Sequence, residues 1–379
     1  MNYIFYPIDR YLSSNVTYFT FEMTQQCNFR CGYCCYSGHY RGMRTHSEKD
    51  MSRNTLIGAI NYVKKHAKEQ SQVFLSFFGG EALLRKNEID YTLRNLKNYF
   101  GNNIIFDLST NGSLLSDDNV DWICSYDNLN ISVSIDGCKE VHDKNRKFAN
   151  GQNTYELVYE NLLRFKQQRP KEYDERVKLL LTIGSLKDIE LIGNSFPTFE
   201  PIIGNNKIFI SHIIPNIEKK LYYRDSYEDK LLFCDTAIAH YNEGRRDIYT
   251  ILLEELLDKT KYKGIIEKQK KIPLGTCLND MYSTFISSDG LLYACEKFGV
   301  NQSIGDIWHG IDIKLAKKLS IKYSLRKSII CGDCPVIEYC NRCISDLKMT
   351  IGEMRFICQD MKENIKLSLY CKSRIISKQ

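Results

Sequence analysis

The stretch FEMTQQCNFRCGYCCYSGHY, residues 21–40, contains Cys27, Cys31 and Cys34 in a C-x3-C-x2-C spacing. It overlaps an apolar-alternating run at residues 16–23, which predicts a β-strand with the cysteines in the loop at its C-terminal end. Three thiolates this close in sequence can bind three corners of one cuboidal cluster, and soft sulfur ligands favour iron–sulfur clusters or zinc. A 4Fe–4S cube held by three cysteines leaves one iron without a protein ligand. Such an open coordination position is typical of catalytic metal sites.

Length and composition narrow the class of protein. The chain has 379 residues, 43% of them hydrophobic, which is enough for one large barrel plus a second unit. The formal net charge is +6, and no Lys/Arg block is long enough for a nucleic-acid-binding arm, so no nucleic-acid partner is expected. The N-terminus lacks the order of a signal peptide, and no run approaches the roughly 18 apolar residues of a membrane span. We therefore predict a cytoplasmic protein without a membrane partner, in which fifteen cysteines point to metal rather than to disulfides.

Predicted strands alternate with predicted helices over the first 215 residues. Strands are expected at residues 16–23, 72–78, 103–108, 130–135, 177–183 and 207–213. Ser52 is the expected N-cap of the first helix, and later helices are expected at 87–100 and 154–166. This alternation predicts an α/β fold of parallel βα units, either a barrel or an open sheet, in which ligands bind at the C-terminal strand ends. Six such units would make a partial (β/α)6 barrel that ends near residue 215. Glycine and polar residues follow four of these strands, at 27–34, 79–81, 110–112 and 134–137. Their shared position predicts one common site.

The motif Cys27-Asn-Phe-Arg-Cys31-Gly-Tyr-Cys34 resembles the cluster loop of radical S-adenosylmethionine (SAM) enzymes, including the aromatic residue before the last cysteine. The resemblance implies that the open iron binds the amino and carboxylate groups of SAM. Reductive cleavage of SAM then releases a 5′-deoxyadenosyl radical. The alternative, a zinc knuckle, usually shows C-x2-C pairs with a second pair downstream, which C-x3-C-x2-C fits poorly.

The same resemblance assigns SAM-binding residues after three further strands. The motif Gly79-Gly80-Glu81 occupies the place where the family binds the amino group of SAM. Ser134 and Asp136 are candidates for the ribose hydroxyls, although strand-end turn chemistry would also explain them. The segment DGCKEVHDKNRKF, residues 136–148, resembles a stretch of radical SAM peptide maturases. There Arg146 would pair with the SAM carboxylate, unless it is a solvated surface arginine.

The C-terminal region is rich in cysteine and resembles the SPASM domain, which holds two auxiliary 4Fe–4S clusters. A β-hairpin is expected at residues 285–294. The resemblance implies one cluster on Cys331, Cys334, Cys340 and Cys358, and a second on Cys277, Cys295 and Cys343. A fourth ligand to the second cluster would fall on Ser283, so an open iron, or Cys371 as a substitute, remains possible. Two zinc sites built on Cys331/Cys334 and Cys340/Cys343 are the alternative for this region.

These resemblances divide the chain into four parts. We predict an N-terminal arm at 1–15, a radical SAM partial barrel at 16–215, a helical linker at 216–270 and a SPASM-like domain at 271–379. Cys124 and Cys234 are interpreted as small buried hydrophobic residues, and Cys35 stays unassigned because side chains of neighbouring residues are expected to point apart.

The resemblance points to a peptide maturase that uses SAM and three 4Fe–4S clusters, one SAM-binding and two auxiliary. The expected substrate is a precursor peptide containing cysteine, which becomes cross-linked through a thioether or C–C bond. An external donor such as flavodoxin or ferredoxin would supply electrons. Glu296, directly after Cys295, is the candidate catalytic base, with a surface glutamate as the alternative. The rival functions are an anaerobic sulfatase-maturating enzyme that forms formylglycine, a non-catalytic iron–sulfur electron carrier, and a zinc-binding module.

Overall fold

A computed structural model describes residues 16–67, 72–203, 208–213, 224–259, 283–331, 334–339 and 350–375. The predicted N-terminal arm lies outside these residues, as do Cys277, Cys340 and Cys343 of the predicted auxiliary ligands.

One mixed sheet forms the centre of the protein, in the order β10-β9-β8-β7-β1-β2-β3-β4-β5-β6. Neighbours from β1 to β6 are parallel, and β7 is parallel to β1, whereas β7 to β10 pair with one another in antiparallel fashion. The strands are β1 (Tyr18–Thr24), β2 (Val73–Gly79), β3 (Ile104–Thr110), β4 (Leu129–Ser134), β5 (Val177–Ile183), β6 (Ile208–His212), β7 (Ser283–Ile286), β8 (Leu291–Tyr293), β9 (Gly305–Asp306) and β10 (Gly310–Ile311).

Helices connect and cover the parallel strands. They are α1 (Arg53–His66), α2 (Lys86–Phe100), α3 (Asp117–Cys124), α4 (Lys139–Asn145), α5 (Tyr155–Gln168), α6 (Pro170–Arg176), α7 (Leu186–Asn194), α8 (Phe196–Ile203), α9 (Tyr227–Asn242), α10 (Ile248–Asp258), α11 (Ile313–Cys331) and α12 (Ile351–Arg374). Ser52 is the N-cap of α1, as predicted, and accepts a hydrogen bond from the backbone N–H of Thr55. No helix in the described ranges is both long enough and apolar enough to span a bilayer.

The predicted α/β fold with a partial barrel is confirmed. In β3 and β5 every second side chain is buried, and the residues between them are only half-buried. The buried side packs against the helices, and the other side lines a concave surface. Side chains from each of the strands β1 to β6 line one cavity on that surface, so the parallel strands curve around a common interior.

The C-terminal hairpin joins the same sheet. β7 and β8 pair through Phe285 with Tyr293, which confirms the predicted hairpin. β7 also pairs with β1, with Tyr18 opposite Ser283 and Phe21 opposite Ile286. β7 therefore lies between β1, which leads into the cysteine loop, and β8, which is followed by Cys295 and Glu296.

A small apolar cluster joins α9, α10 and α12 outside the main core. Within the region predicted as a helical linker, Leu252, Leu253 and Leu256 of α10 are buried and Leu257 is partly buried. These helices pack beside the C-terminal ends of β5 and β6, where Ile183 and His212 line a pocket together with residues of the three helices.

Candidate active site

The cysteine loop leaves the C-terminal end of β1 and is fixed by backbone pairing with the segment after α4. The N–H of Arg30 donates to the carbonyl of Lys147 over 2.8 Å, and the N–H of Gly32 donates to the carbonyl of Asn145 over 2.9 Å. These bonds satisfy loop amides that no sheet or helix would otherwise pair. The segment at 145–148 therefore holds the middle of the cysteine loop in place.

The glycine pair at the end of β2 allows the loop to approach. The backbone N–H of Gly80 donates to Thr24, and the N–H of Glu81 donates to the carbonyl of Gln26, both over 2.8 Å. A Cβ at Gly80 would lie 1.9 Å from that carbonyl oxygen and 3.1 Å from Cβ of Cys27. Glycine is thus required here by the close approach of the cysteine loop itself.

Several N–H groups point at the cysteine sulfurs. Sγ of Cys27 accepts from the backbone of Phe29 over 3.3 Å and from Nδ2 of Asn111 over 3.8 Å. Sγ of Cys34 accepts from the backbone of Tyr36 over 3.4 Å. Donors of this kind stabilise the negative charge of a metal-bound thiolate and tune the redox potential of a cluster.

In the protein alone, the thiols favour the protonated form. Burial raises the pKa of Cys27 to about 12 and that of Cys31 to about 11. Binding of a metal would therefore displace the thiol protons. Within the described ranges, no three His, Cys, Asp or Glu residues gather closely enough to hold a single metal ion. A 4Fe–4S cluster binds each thiolate through a different iron, so it does not require ligands gathered around one ion.

Glu81 is completely buried and ties the end of β2 to the end of β3. Its Oε1 accepts from Oγ1 of Thr110 over 2.8 Å and from the N–H of Leu83 over 3.0 Å. Its Oε2 accepts from the N–H of Asn111 over 2.7 Å. Burial raises the pKa of Glu81, and these hydrogen bonds partly offset the effect. The carboxylate therefore orients the two strand ends around the site.

Tyr33 of the cysteine loop forms one hydrogen-bonded group with the buried Asp136 and Arg146. The hydroxyl of Tyr33 donates to Asp136 and accepts from Nη1 of Arg146 over 2.8 Å. The second oxygen of Asp136 accepts from the N–H of Thr182 over 2.9 Å. Arg146 is only 7% exposed, which rules out the solvated surface arginine, and its Nε has no hydrogen-bond partner in the described part of the chain.

The two predicted ribose ligands differ in their surroundings. Both carboxylate oxygens of Asp136 already accept hydrogen bonds from the protein, and burial raises its pKa. The hydroxyl of Ser134, at the end of β4, makes no hydrogen bond to any described residue and is half-buried. Ser134 is therefore the better placed of the two to accept an external partner, and both assignments stay predictions.

Cys35 lies closer to the cysteine motif than the sequence suggested. Its thiol is within hydrogen-bonding reach of the Cys34 thiol, an interaction that raises the pKa of Cys34. The expectation that these neighbouring side chains point apart is wrong, because residues 34–37 form a turn, closed by the N–H of Ser37 donating to the carbonyl of Cys34, rather than a strand.

A buried ion pair beside the site escaped the sequence analysis. Glu22, inside β1, accepts hydrogen bonds from the hydroxyl of Tyr36 over 2.6 Å and from both N–H and Oγ of Ser288 over 2.9 Å. Arg44, in the loop that follows the cysteines, forms an ion pair with the carboxylate of Glu22. The only signal in the sequence was an acidic residue among the apolar positions of a predicted strand. It did not indicate which residue would pair with it.

Arg44 links the cysteine loop to the C-terminal hairpin. Its guanidinium lies between the rings of Phe285 and Tyr293, with Cζ 4.6 and 4.5 Å from their centroids. Its Nη1 donates to the carbonyl oxygens of Glu296 over 3.2 Å and Phe298 over 2.9 Å. The segment that carries Glu296 is thereby fixed against the loop that carries the cysteines.

Glu296 is half-buried, and its carboxylate lies near enough to Tyr18 and Cys35 for its charge to act on both. Its negative charge contributes to raising the pKa of Tyr18, after burial and the charge of Asp107, and it also acts on Cys35. Cys295, the preceding residue, is buried. The structure therefore brings the predicted base near the concave surface and near the cysteine loop.

Besides Cys295, the structure describes Cys331, Cys334, Cys358 and Cys371 in the cysteine-rich C-terminal region. Cys331 ends α11, and the N–H of Cys334 donates to its carbonyl over 3.2 Å. Cys358 lies on α12. Cys371, considered above as a spare ligand, is completely buried on the same helix, within hydrogen-bonding reach of Cys234. This contact gives Cys371 a partner other than an auxiliary cluster. Cys234 is buried as predicted, whereas Cys124 is only partly buried.

A comparison of the sequence with protein families matches the Radical SAM superfamily over residues 21–185. Residues 21–185 form a radical SAM domain. The match covers β1 to β5 and includes the cysteine loop, the Gly79-Gly80-Glu81 motif and Arg146. SAM and one 4Fe–4S cluster are the cofactors of this domain. The donor set fits them, because three thiols, N–H groups aimed at sulfur and a buried arginine with an unpaired Nε meet at one end of the sheet.

Individual proteins resemble the chain beyond the radical SAM domain. A cysteine-type anaerobic sulfatase-maturating enzyme of Clostridium perfringens (strain 13 / Type A) is 24% identical over 364 residues, covering 92% of this chain and 91% of the relative. The structure of anSMEcpe with bound AdoMet superposes with a TM-score of 0.68 at 19% identity, covering 93% of this chain and 97% of that one. Streptococcus suis SuiB bound to its precursor peptide SuiA gives 0.55 at 14% identity, covering 86% and 71%. The two structures support the fold, which extends past the radical SAM domain into the cysteine-rich region.

Proposed function

We propose that this radical SAM enzyme is a peptide maturase that abstracts a hydrogen atom from a cysteine-containing precursor peptide and forms a thioether or C–C cross-link. The observation that carries the proposal is the fixation of the Glu296 backbone by Arg44, which belongs to the loop that follows the cysteines. When bound, the cluster and SAM supply a 5′-deoxyadenosyl radical, which takes one hydrogen atom from the substrate.

Residues at the strand ends would hold SAM in the orientation that this step requires. The backbone of the Gly79-Gly80-Glu81 motif would bind the amino group, while the Glu81 side chain keeps the strand ends in register. Arg146 would bind the carboxylate, because a buried guanidinium with an unpaired Nε favours an anionic partner. Ser134 would donate to a ribose hydroxyl, and Asp136 would position Tyr33 and Arg146.

Glu296 would accept the proton of the substrate thiol. Formation of a thioether from a C–H and an S–H group removes two hydrogen atoms from the peptide. One leaves as the hydrogen atom taken by the radical, and the other leaves as a proton to Glu296 and an electron. That electron requires an acceptor, for which we propose the auxiliary 4Fe–4S clusters.

The auxiliary clusters would use the ligand sets given above, Cys331, Cys334, Cys340 and Cys358 in one and Cys277, Cys295 and Cys343 in the other. The proposed domain boundaries, at 16–215, 216–270 and 271–379, keep both sets in the C-terminal unit. A donor such as flavodoxin or ferredoxin would reduce the SAM-binding cluster. The radical SAM domain favours this enzyme over an electron carrier or a zinc-binding module.

Oxidation of a sulfatase cysteine or serine to formylglycine is the second candidate. It is favoured by the similarity to a cysteine-type sulfatase-maturating enzyme along 92% of the chain. The acidic residue after Cys295 would suit this reaction too, because it also includes loss of a thiol or hydroxyl proton.

Mass spectrometry of the product separates the two reactions. The reconstituted enzyme is incubated without oxygen with SAM, a reductant and peptides that contain cysteine, in water labelled with heavy oxygen. A cross-link loses two hydrogen atoms and keeps its sulfur, whereas formylglycine loses sulfur and acquires labelled oxygen. Cleavage of SAM without any change in any peptide would contradict both candidates.

A further inference from the structure

A cavity of about 290 Å³ lies on the concave surface of the partial barrel, away from the cysteine loop. Its walls come from residues near the beginning of the parallel strands, whereas the loop and its neighbours lie at the C-terminal strand ends. We call it the barrel-base cavity. The side chains that define it are Tyr18, Phe74, Asp107, Asn130, Lys178 and Phe209.

Three aromatic side chains in this cavity remain exposed. Tyr18 is 38% exposed, Phe74 36% and Phe209 47%. The rings of Tyr18 and Phe74 stack, with centroids 6.2 Å apart, while Phe209 lies across the interior on the edge strand β6. Concave sites lined by exposed aromatic residues are typical of ligand pockets. An apolar cavity of about 150 Å³ accommodates benzene, so this cavity has room for a bulky side chain.

The polar groups of the cavity favour a neutral occupant. Asp107 accepts from Nζ of Lys178 over 3.2 Å and from Oγ of Ser132 over 2.9 Å, so its charge is balanced within the protein. The side-chain amide of Asn130 makes no hydrogen bond to any described residue. An amide can both donate and accept, which matches the backbone of a peptide.

The cavity is also electrostatically connected to the proposed base. The charges of Asp107 and Glu296 both act on the phenol of Tyr18, in addition to its burial. Tyr18 lines the cavity, and β1 pairs it with Ser283 at the start of the hairpin that carries Glu296. A peptide seated in the cavity would extend along the concave surface toward Glu296.

We propose that the barrel-base cavity binds an aromatic or bulky aliphatic side chain of the substrate peptide, close in sequence to the residue that is modified. This inference rests on the proposed peptide maturase and names a determinant of its specificity. Phe74 and Phe209 contact the side chain from opposite walls, and Asn130 binds the adjoining peptide group.

Binding measurements test the preference directly. The probes are fluorescein-labelled peptides of glycine and serine with a central cysteine and one nearby position occupied by Phe, Leu, Ala, Lys or Asp. Their affinity for the reconstituted, SAM-loaded enzyme is measured by fluorescence anisotropy. We expect the Phe and Leu peptides to bind at least about tenfold more tightly than the Ala, Lys and Asp peptides. Phe209→Ala and Phe74→Ala should abolish this preference.

Tyr99→Ala is the matched control, because Tyr99 is 52% exposed and lies on α2, outside the cavity. It should keep the preference. Equal affinities for all peptides, absence of binding by every peptide, or a preference that survives both cavity substitutions would overturn the inference.

Photo-cross-linking identifies the occupant even if an alanine variant folds poorly. A photoreactive p-benzoylphenylalanine replaces Phe209, and the Phe peptide is added before illumination. A cross-link mapped to the variable residue of the peptide supports the inference. Cross-links only to another segment of the same chain, or only to a second copy of it, would refute the inference.

The outcomes keep this inference separate from the proposed function. If peptides are modified regardless of substitutions in the cavity, the proposed maturase is supported and the proposed specificity site is refuted. If peptides bind with a preference for an aromatic residue but are never modified, the proposed specificity site is supported and the proposed maturase is refuted.

Discussion

Nε of Arg44 lies 3.3 Å from Oε1 of Glu22, and the two side chains are 3% and 0% exposed. Removing one partner of a buried ion pair leaves the other charge without compensation, which typically costs roughly 3–5 kcal/mol. We therefore expect Arg44→Met to lower the free energy of unfolding by about that amount, measured by urea denaturation under anaerobic conditions. Arg41→Met, in the same loop but exposed, is the control and should change little.

A double variant, Glu22→Met with Arg44→Met, tests the cause. Because it removes both charges, much of the lost stability should return. If Arg44→Met were no less stable than Arg41→Met, the buried pair would not fix the cysteine loop against the hairpin.

Cys34 and Cys35 offer a matched pair of neighbours for testing the cluster ligands. Cys34→Ala should prevent assembly of the SAM-binding cluster and lower the iron content by about four per chain. Cys35→Ala should retain this iron, because Cys35 lies outside the C-x3-C-x2-C motif. Iron analysis and electron paramagnetic resonance of the reduced proteins measure the difference. Equal iron in the two variants would contradict the assignment of Cys34.

Gly80→Ala should displace the cysteine loop. The added Cβ would meet backbone and the Cβ of Cys27, neither of which can move aside cheaply. Overpacking of this kind costs typically about 1–3 kcal/mol, and we also expect less cluster after reconstitution. Gly352→Ala is the control. Gly352 is an exposed residue of α12 with only ordinary contacts at the added Cβ, so the substitution should be neutral or slightly stabilising. Normal cluster loading of Gly80→Ala would argue against the close approach.

Glu296→Gln should slow product formation by about 10²–10⁴-fold, because it removes the proposed general base. Transfer of deuterium from a labelled peptide into 5′-deoxyadenosine should persist, since hydrogen abstraction comes before loss of the thiol proton. Asp289→Asn, at the exposed turn of the same hairpin, should leave product formation unchanged. Loss of deuterium transfer together with product would indicate that Glu296 acts before or during hydrogen abstraction.

His142 should make stability depend on pH. It is completely buried, and burial followed by the charge of Arg146 holds its pKa well below the usual value. The unfolded chain therefore binds a proton that the folded chain excludes. The free energy of unfolding should then fall as the pH drops below about 6.5, by at most about 1.4 kcal/mol per pH unit. His142→Gln should flatten the curve between about pH 6.5 and 5. Parallel curves for the two proteins would show that His142 does not titrate as described.

Much of the fold could be predicted because its signals are local. Alternating apolar residues placed β5 at Val177–Ile183, and Ser52 marked the start of α1. The position of the candidate site followed from the same reasoning, since the C-terminal ends of parallel strands share one edge. The spacing could not foresee that Cys34 and Cys35 make contact, because that depends on the shape of the turn.

The sequence by itself determined the radical SAM motif, the parallel order of the strands and the edge of the sheet where the cysteine loop lies. Cysteine spacing and hydrophobic periodicity encode these features within a few dozen residues. The tertiary structure alone decided that Arg44 reaches the carbonyl of Glu296, 252 positions away, and that six strands each contribute to the barrel-base cavity. Such contacts depend on how distant segments pack, and short-range patterns of residue type carry no information about which distant side chains will meet.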